Sequence, residues 1–224
     1  MTDTTLRRHM WSRSAPVSNL PYNVATPLVA DLLDTVPAIG RFVVMVQKEV
    51  AQRLAAQPGS AEYGAISVKV AYWGSARILG DVPPSVFVPR PKVTSSIIEI
   101  TRSAQPAVGA HMGLDITPQQ LFTVVRTAFG QRRKMLRRSL AAVADAEVFS
   151  RADIDPELRP EQLDVHQWGR LAHAITTKGS GGENVHIRAH SRHQILHGAR
   201  WLGGRHHRGA REAHVVTARH GRAR

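Results

Sequence analysis

Arg41-Phe42-Val43-Val44-Met45-Val46-Gln47 is the stretch on which the fold turns. It is dense in β-branched residues and apolar on both alternating faces, the pattern of a central strand buried inside a sheet. Upstream, Pro27 followed by Leu28, Val29, Leu32 and Leu33 at helical spacing predicts a helix, closed by Pro37-Ala38-Ile39-Gly40. Downstream, Lys48 to Ala56 reads as a helix ended by Pro58-Gly59-Ser60. Tyr63 to Tyr72 fits two periods: Ile66, Val68 and Val70 alternate, yet Tyr63, Ile66, Val70 and Trp73 share a helical face. Of the two, a helix is expected. Strands at Ala76 to Gly80 and Ser95 to Thr101 flank a Pro-rich loop from Val82 to Lys92 and should form an antiparallel, hairpin-like pair. This order of helices and strands implies an α/β sheet.

The texture changes beyond a linker from Ser103 to Gly113. Thr117-Pro118-Gln119-Gln120 has the form of an N-cap with Pro at the first helical position, and Leu121, Phe122, Val124, Val125 and Phe129 supply an apolar stripe. Further helices are expected at Lys134 to Val143 and Gln167 to Ile175, the latter capped by Asp164, so residues 114–177 read as a small all-helical domain. Residues 1–18 show no sustained period and read as an irregular leader, and residues 178–224, rich in Gly, His and Arg, as a disordered basic tail.

Thirty Lys and Arg face 17 Asp and Glu, and the resulting net charge of +13 favours an anionic partner such as nucleic acid. Ten basic and two acidic residues fall between Lys178 and Arg224, a local excess of +8, so the body of the chain is only mildly basic. Cys is absent, which excludes disulfides, thiolate metal sites and cysteine nucleophiles and fits a reducing compartment. No apolar run approaches a membrane span, and the histidines lack carboxylate partners at ligand spacing, so neither a membrane nor a metal is expected.

Asn19-Leu20-Pro21-Tyr22 stands where a short strand could end and a helix begins, the place where an α/β sheet binds its ligands. An exocyclic adenine amine is a poor nucleophile because its lone pair is delocalised into the ring. A side-chain amide oxygen and a backbone carbonyl that accept its two N–H bonds can aim that lone pair at an electrophile. Asn19 and the carbonyl of Leu20 are suited to this, Pro21 stiffens the backbone between them, and Tyr22 offers a stacking face for an extruded base. The same four residues also describe an ordinary strand-to-helix turn.

Gln131-Arg132-Arg133-Lys134 with Arg137 and Arg138 places five cations within seven residues. On one helix, Arg133 with Arg137 and Lys134 with Arg138 would repel at a spacing of four, a strain that an RNA phosphate backbone would relieve. A solvated basic face is the alternative. Lys48 and Arg53 are weaker candidates for such contact and read rather as helix surface.

These pieces resemble, in order, the ribosomal RNA adenine N6-dimethyltransferase family, the small-subunit dimethyladenosine transferases linked to kasugamycin sensitivity. The matching segments are Asn19-Leu20-Pro21-Tyr22-Asn23, Val46-Gln47-Lys48-Glu49-Val50-Ala51-Gln52-Arg53, Tyr63-Gly64, Val82 to Val93 (VPPSVFVPRPKV) and Ala128-Phe129-Gly130-Gln131-Arg132-Arg133-Lys134, spread over residues 19–175. The resemblance implies a Rossmann-like S-adenosylmethionine-dependent methyltransferase sheet, of which residues 19–102 form the C-terminal half, followed by an RNA-binding helical domain. It implies that Asn19 and the Leu20 carbonyl hold the target amine, Asn19 also bordering S-adenosyl-L-methionine, while Tyr22 and Phe87 sandwich the adenine. Phe87 taken alone reads equally as a core aromatic under the Pro-rich loop. Arg132, Arg133, Lys134, Arg137 and Arg138 would meet RNA, and the partner would be small-subunit rRNA in the cytoplasm.

Such an enzyme also needs a first strand with a Gly-rich turn against the cofactor and an acidic residue for the ribose hydroxyls. No glycine precedes Gly40, and only 18 residues precede Asn19. The cofactor half is therefore expected to be absent, leaving an unpaired sheet edge, exposed apolar surface and impaired catalysis. A non-catalytic RNA-binding or ribosome-assembly remnant, or a gene fragment without function, are the alternatives to rRNA adenine N6-dimethylation.

Overall fold

A computed structural model describes residues 16–21 and 24–179. Strand β1 (Val17–Asn19) leads into helix α1 (Ala25–Thr35), strand β2 (Arg41–Gln47) and helix α2 (Lys48–Ala55). Helix α3 (Ala65–Trp73), strand β3 (Gly74–Val82) and strand β4 (Ser95–Arg102) complete a four-stranded sheet in the order β1-β2-β4-β3. β1 runs parallel to β2, whereas β4 is antiparallel to both β2 and β3. β1 begins two residues inside the stretch read as leader, its Val17 opposite Val43.

One sheet face carries Phe42, Val44, Val46, Ile98 and Ile100, all buried against Ala25, Val29 and Leu33 of α1, Val50, Ala51 and Leu54 of α2 and Val70 of α3. On the other face Val43, Met45 and Ile97 are only half-buried among the described residues. β2 is thus central by pairing but covered on one side, where three helices converge. On the less covered face Glu99 lies between Val43 and Arg77 in register, and its carboxylate is gripped by Arg41 and by Arg77 at 3.0 Å.

The expected helix at Tyr63 to Tyr72 is α3, and its two-sided pattern has a physical cause. Val70 belongs to the sheet's core, with Ile66 packed against it, whereas Val68 and Tyr72 belong to a second core. A helix wedged between two apolar masses is apolar nearly all round, so periodicity alone could not type it. α3 passes directly into β3 at Gly74, where a Cβ would lie 2.0 Å from the Thr101 carbonyl oxygen. Glycine is required there by close backbone approach.

The second core is built by helices α4 (Pro118–Phe129), α5 (Leu136–Ser139), α6 (Ala146–Ala152) and α7 (Val165–Gly179). α4 starts with the expected cap: Thr117 accepts from the Gln120 N–H, and Gln120 returns a bond to the Thr117 N–H at 2.8 Å. Asp164 likewise accepts from the Gln167 N–H at 2.8 Å. The segment from Ser103 to Gly113 is not a free linker: Ala107 donates to the Tyr72 carbonyl at 2.8 Å, and Val108 is fully buried in the helical core.

The helix expected at Lys134 to Val143 is reduced to the four residues of α5. Leu136 and Arg137 spend their amide protons on the carbonyls of Leu158 and Pro156, at 2.8 and 3.0 Å, so the chain is tied to a neighbouring segment. α6 was not anticipated, although Asp145 caps it by accepting from Val148 at 3.1 Å. The basic tail beyond Gly179 lies outside the described residues.

Two outcomes test this packing. A Cβ on Gly169 of α7 would sit 2.4 Å from Val108 Cγ1. Gly169→Ala is expected to lower stability in urea by about 1–2 kcal/mol, overpacking outweighing the gain in helix propensity. Adding Val108→Ala should recover part of that loss, and an unaltered Gly169→Ala unfolding midpoint would contradict it. The hydrogen bonds from Arg77 and then Arg41 hold the Glu99 carboxyl below its ordinary value. A lowered native value means that this stabilisation is present at neutral pH and is lost as pH falls through and below the ordinary carboxylate range. Urea midpoints should therefore decline more steeply on acidification in the parent protein than in Glu99→Gln.

Candidate functional site

The parallel pairing of β1 with β2 puts Asn19 opposite Met45, at the carboxyl ends of both strands. Leu20 follows with its side chain buried and its amide donating to the Met45 carbonyl at 3.1 Å. Pro21 is exposed, and its carbonyl accepts from Val24 at 3.1 Å as the chain turns into α1. Asn19 is exposed, and among the described residues its side-chain amide has no hydrogen-bond partner. Tyr22 lies outside the described residues.

β4 enters the sheet from the same end. Ser95, its first residue, pairs with Gln47 on one side and with Val82 on the other, so the loop from Pro83 to Thr94 is rooted beside the end of β2. A short helical turn at Pro84–Val86 precedes Phe87, whose amide donates to the Pro84 carbonyl at 3.3 Å. Phe87 is half-buried and belongs to neither apolar core. Its neighbours Val86 and Val88 are exposed, Val88 almost completely at 99%. Asn19, Leu20 and the Phe87 loop, far apart in sequence, thus occupy one end of one sheet.

Among the described residues at this end, neither the turn Asn19-Leu20-Pro21 after β1 nor the Gln47–Lys48 junction between β2 and α2 contains a glycine. A cavity of about 480 Å³ lined by Pro37, Gly40, Trp73 and Arg102 opens at the opposite end, beside the start of β2. Its guanidinium is committed, Arg102 donating to the Leu33 and Leu32 carbonyls at 2.7 and 3.2 Å and so closing the end of α1. The described residues at the Asn19 end thus supply no glycine-rich turn of the kind expected against S-adenosylmethionine.

The basic cluster is divided by its contacts. Arg132 is turned inward: its Nη2 donates to the Ala61 carbonyl at 2.7 Å, and its Nε lies 3.8 Å from Glu161. It braces the α2–α3 connection against the helical unit, beside a file of rings in which Tyr63 and Phe129 lie 6.3 Å apart and Phe129 and Trp168 5.9 Å apart. Burial, and secondarily the Asp164 carboxylate, pushes the Tyr63 hydroxyl far above its ordinary value, so it stays neutral. Arg137 pairs with Glu157 at 3.3 Å. Arg133, Lys134 and Arg138 are exposed and have no acidic partner among the described residues. Because α5 starts only at Leu136, Arg133 and Lys134 precede it, and the expected repulsion along one helical face does not arise. Arg132→Ala should accordingly cost about 1 kcal/mol of unfolding free energy through the lost charged hydrogen bond. Alanine at Arg133 or Arg138 should change it by less than about 0.5 kcal/mol, both read from urea denaturation.

A family model described as ribosomal RNA adenine dimethylase matches residues 1–177, including the stretch read as an unrelated leader. The chain is 46% identical over 172 residues to the ribosomal RNA small subunit methyltransferase A of Bifidobacterium longum (strain DJO10A), covering 75% of this chain and 56% of that protein. The protein of the same name from Rhodospirillum rubrum is 46% identical over 165 residues, covering 73% of this chain and 55% of its own length. The chain thus spans little more than half the length of these relatives. In fold it is similar to a crystallised dimethyladenosine transferase from Plasmodium falciparum, with TM-score 0.61 and 21% identity over 73% of this chain and 68% of that one. The 23S rRNA methyltransferase ErmE matches with TM-score 0.53 and 20% identity over the same shares. With a family model matched from its first residue to Thr177, the chain belongs to the ribosomal RNA adenine dimethylase family.

Proposed function

We propose that this chain supplies the adenine-holding and RNA-contacting parts of an rRNA adenine N6-dimethyltransferase acting on small-subunit rRNA in the cytoplasm. The observation that carries this reading is the meeting of Asn19, Leu20 and the Phe87 loop at the carboxyl end of β2. An adenine extruded there would stack against Phe87, with Tyr22 the expected second ring, while the Asn19 amide oxygen and the Leu20 carbonyl accept the two N6 protons. This orients the amine and favours the charge that builds on nitrogen as it forms its new bond. S-adenosyl-L-methionine is the methyl donor expected for the family. Arg133, Lys134 and Arg138 are the cations left to neutralise RNA phosphates, and Arg132 serves as an internal brace.

A second reading, RNA binding without methylation, is favoured by the lack of a glycine-rich turn among the described residues at this end of the sheet. Incubating the purified chain with small-subunit RNA and methyl-labelled S-adenosylmethionine separates the two: label in N6-methyladenine supports the enzyme, and RNA binding without label supports the binder. Under either, alanine at Arg133, Lys134 and Arg138 together should weaken RNA binding and flatten its logarithmic salt dependence by about 0.7–0.9 per lost phosphate contact. An unchanged slope would exclude this surface. If the chain methylates, Asn19→Ala should abolish transfer while leaving RNA affinity within about twofold.

A further inference from the structure

The loop that carries Phe87 is fastened to the rest of the site by a small polar network. Lys48, the first residue of α2, donates from Nζ to Asp81 Oδ2 at 2.6 Å, and Ser96 Oγ donates to Asp81 Oδ1 at 2.6 Å. The Lys48 amide donates to the Thr94 carbonyl at 3.0 Å. Asp81 and Thr94 stand at the two roots of the loop, and Lys48 follows Gln47, two residues beyond the Met45 carbonyl that holds Leu20. One residue therefore ties both loop roots to the strand end beside Asn19.

An irregularity in the sheet makes this possible. Ile78 pairs with Ile98 and Gly80 with Ile97, so Leu79 is an extra residue in β3. Without that bulge Asp81 would share the face of Arg77 and Glu99. With it, Asp81 stands opposite Ser96, on the face that α2 covers and within reach of Lys48. Bulges beside functional sites re-aim side chains in this way. The hydrogen bonds from Lys48 and then Ser96 also hold the Asp81 carboxyl below its ordinary value, so it is an anion at neutral pH.

We propose that Lys48, through Asp81 and the Leu79 bulge, is a positioning residue that holds the Phe87 loop in register with Asn19 and Leu20. This rests on the reading of that end of the sheet as an adenine site, and it makes Lys48 part of the site's support through the bond its ammonium makes to Asp81. The lysine and aspartate are both partly exposed, so the network governs local opening of the loop and leaves global stability nearly unchanged.

The test uses the full chain with Lys48→Met, Asp81→Asn and Lys48→Arg. Hydrogen exchange of residues 83–94 should quicken about fivefold in the first two variants and stay near the parental rate in Lys48→Arg, while exchange across α7 stays within about twofold. A small-subunit RNA hairpin with 2-aminopurine in its loop reports stacking: its fluorescence should be quenched by the parent and by Lys48→Arg, and less by Lys48→Met. Unchanged loop exchange in Lys48→Met would overturn the proposal. So would an equal rise in α7, which would make the network a general stabiliser, or a failure of arginine to substitute. An RNA probe unquenched even by the parent would count against the adenine site itself, with the exchange data still deciding whether Lys48 holds the loop.

Discussion

Pairing β2 with a parallel strand on one edge and an antiparallel strand on the other decides which segments share the end of the sheet where the adenine site is proposed. A parallel neighbour ends where β2 ends, so the turn after β1 leaves the sheet at the carboxyl end of β2. An antiparallel neighbour starts there, so the loop before β4 arrives at the same place. Asn19, Leu20 and Phe87 are brought together by strand direction alone. Register then sets the fine position: Asn19 opposite Met45, Ser95 opposite Gln47, and the Leu79 bulge turning Asp81 toward Lys48.

The helical unit is joined to this sheet through apolar contact more than through charge. α3 gives one flank to each core, and Tyr72 meets Phe122 of α4 edge-on at 5.2 Å. Lys69 adds a polar stitch, pairing with Asp34 at the end of α1 while lying 4.7 Å over the Phe122 ring. Arg132 and the Tyr63–Phe129–Trp168 file make a second joint near the α2–α3 connection. With two joints the exposed cations Arg133, Lys134 and Arg138 have a set orientation relative to the sheet, as the proposed contact with RNA requires.

Much of this was legible in the sequence because it depends on neighbours along the chain. β2, α1, α2, the Thr117 and Asp164 caps and the antiparallel pairing of β3 with β4 follow from periodicity and turn chemistry, which read local geometry. The short collinear motifs likewise pointed to the family. Readings failed where remote atoms intervened. The helix drawn from Lys134 yields to hydrogen bonds with Pro156 and Leu158, and the linker is pinned by Tyr72 and Gly169. Lys48 is on the helix surface as read, and its link to Asp81 across 33 positions is what the sequence did not show.

By itself, then, the sequence determined which residue types could orient an amine, stack a base or meet phosphate, and placed the strands and helices whose pattern depends only on near neighbours, such as β2, α1, α2 and α4. Those are properties of side chains and of short backbone segments. Only the tertiary structure decided that Arg132 is a brace and that Arg133 has no acidic partner among the described residues, that α3 serves two cores, and that a one-residue bulge aims Asp81 at Lys48. Each depends on the meeting of groups distant in the chain, where a slip of one residue reverses the face a side chain presents.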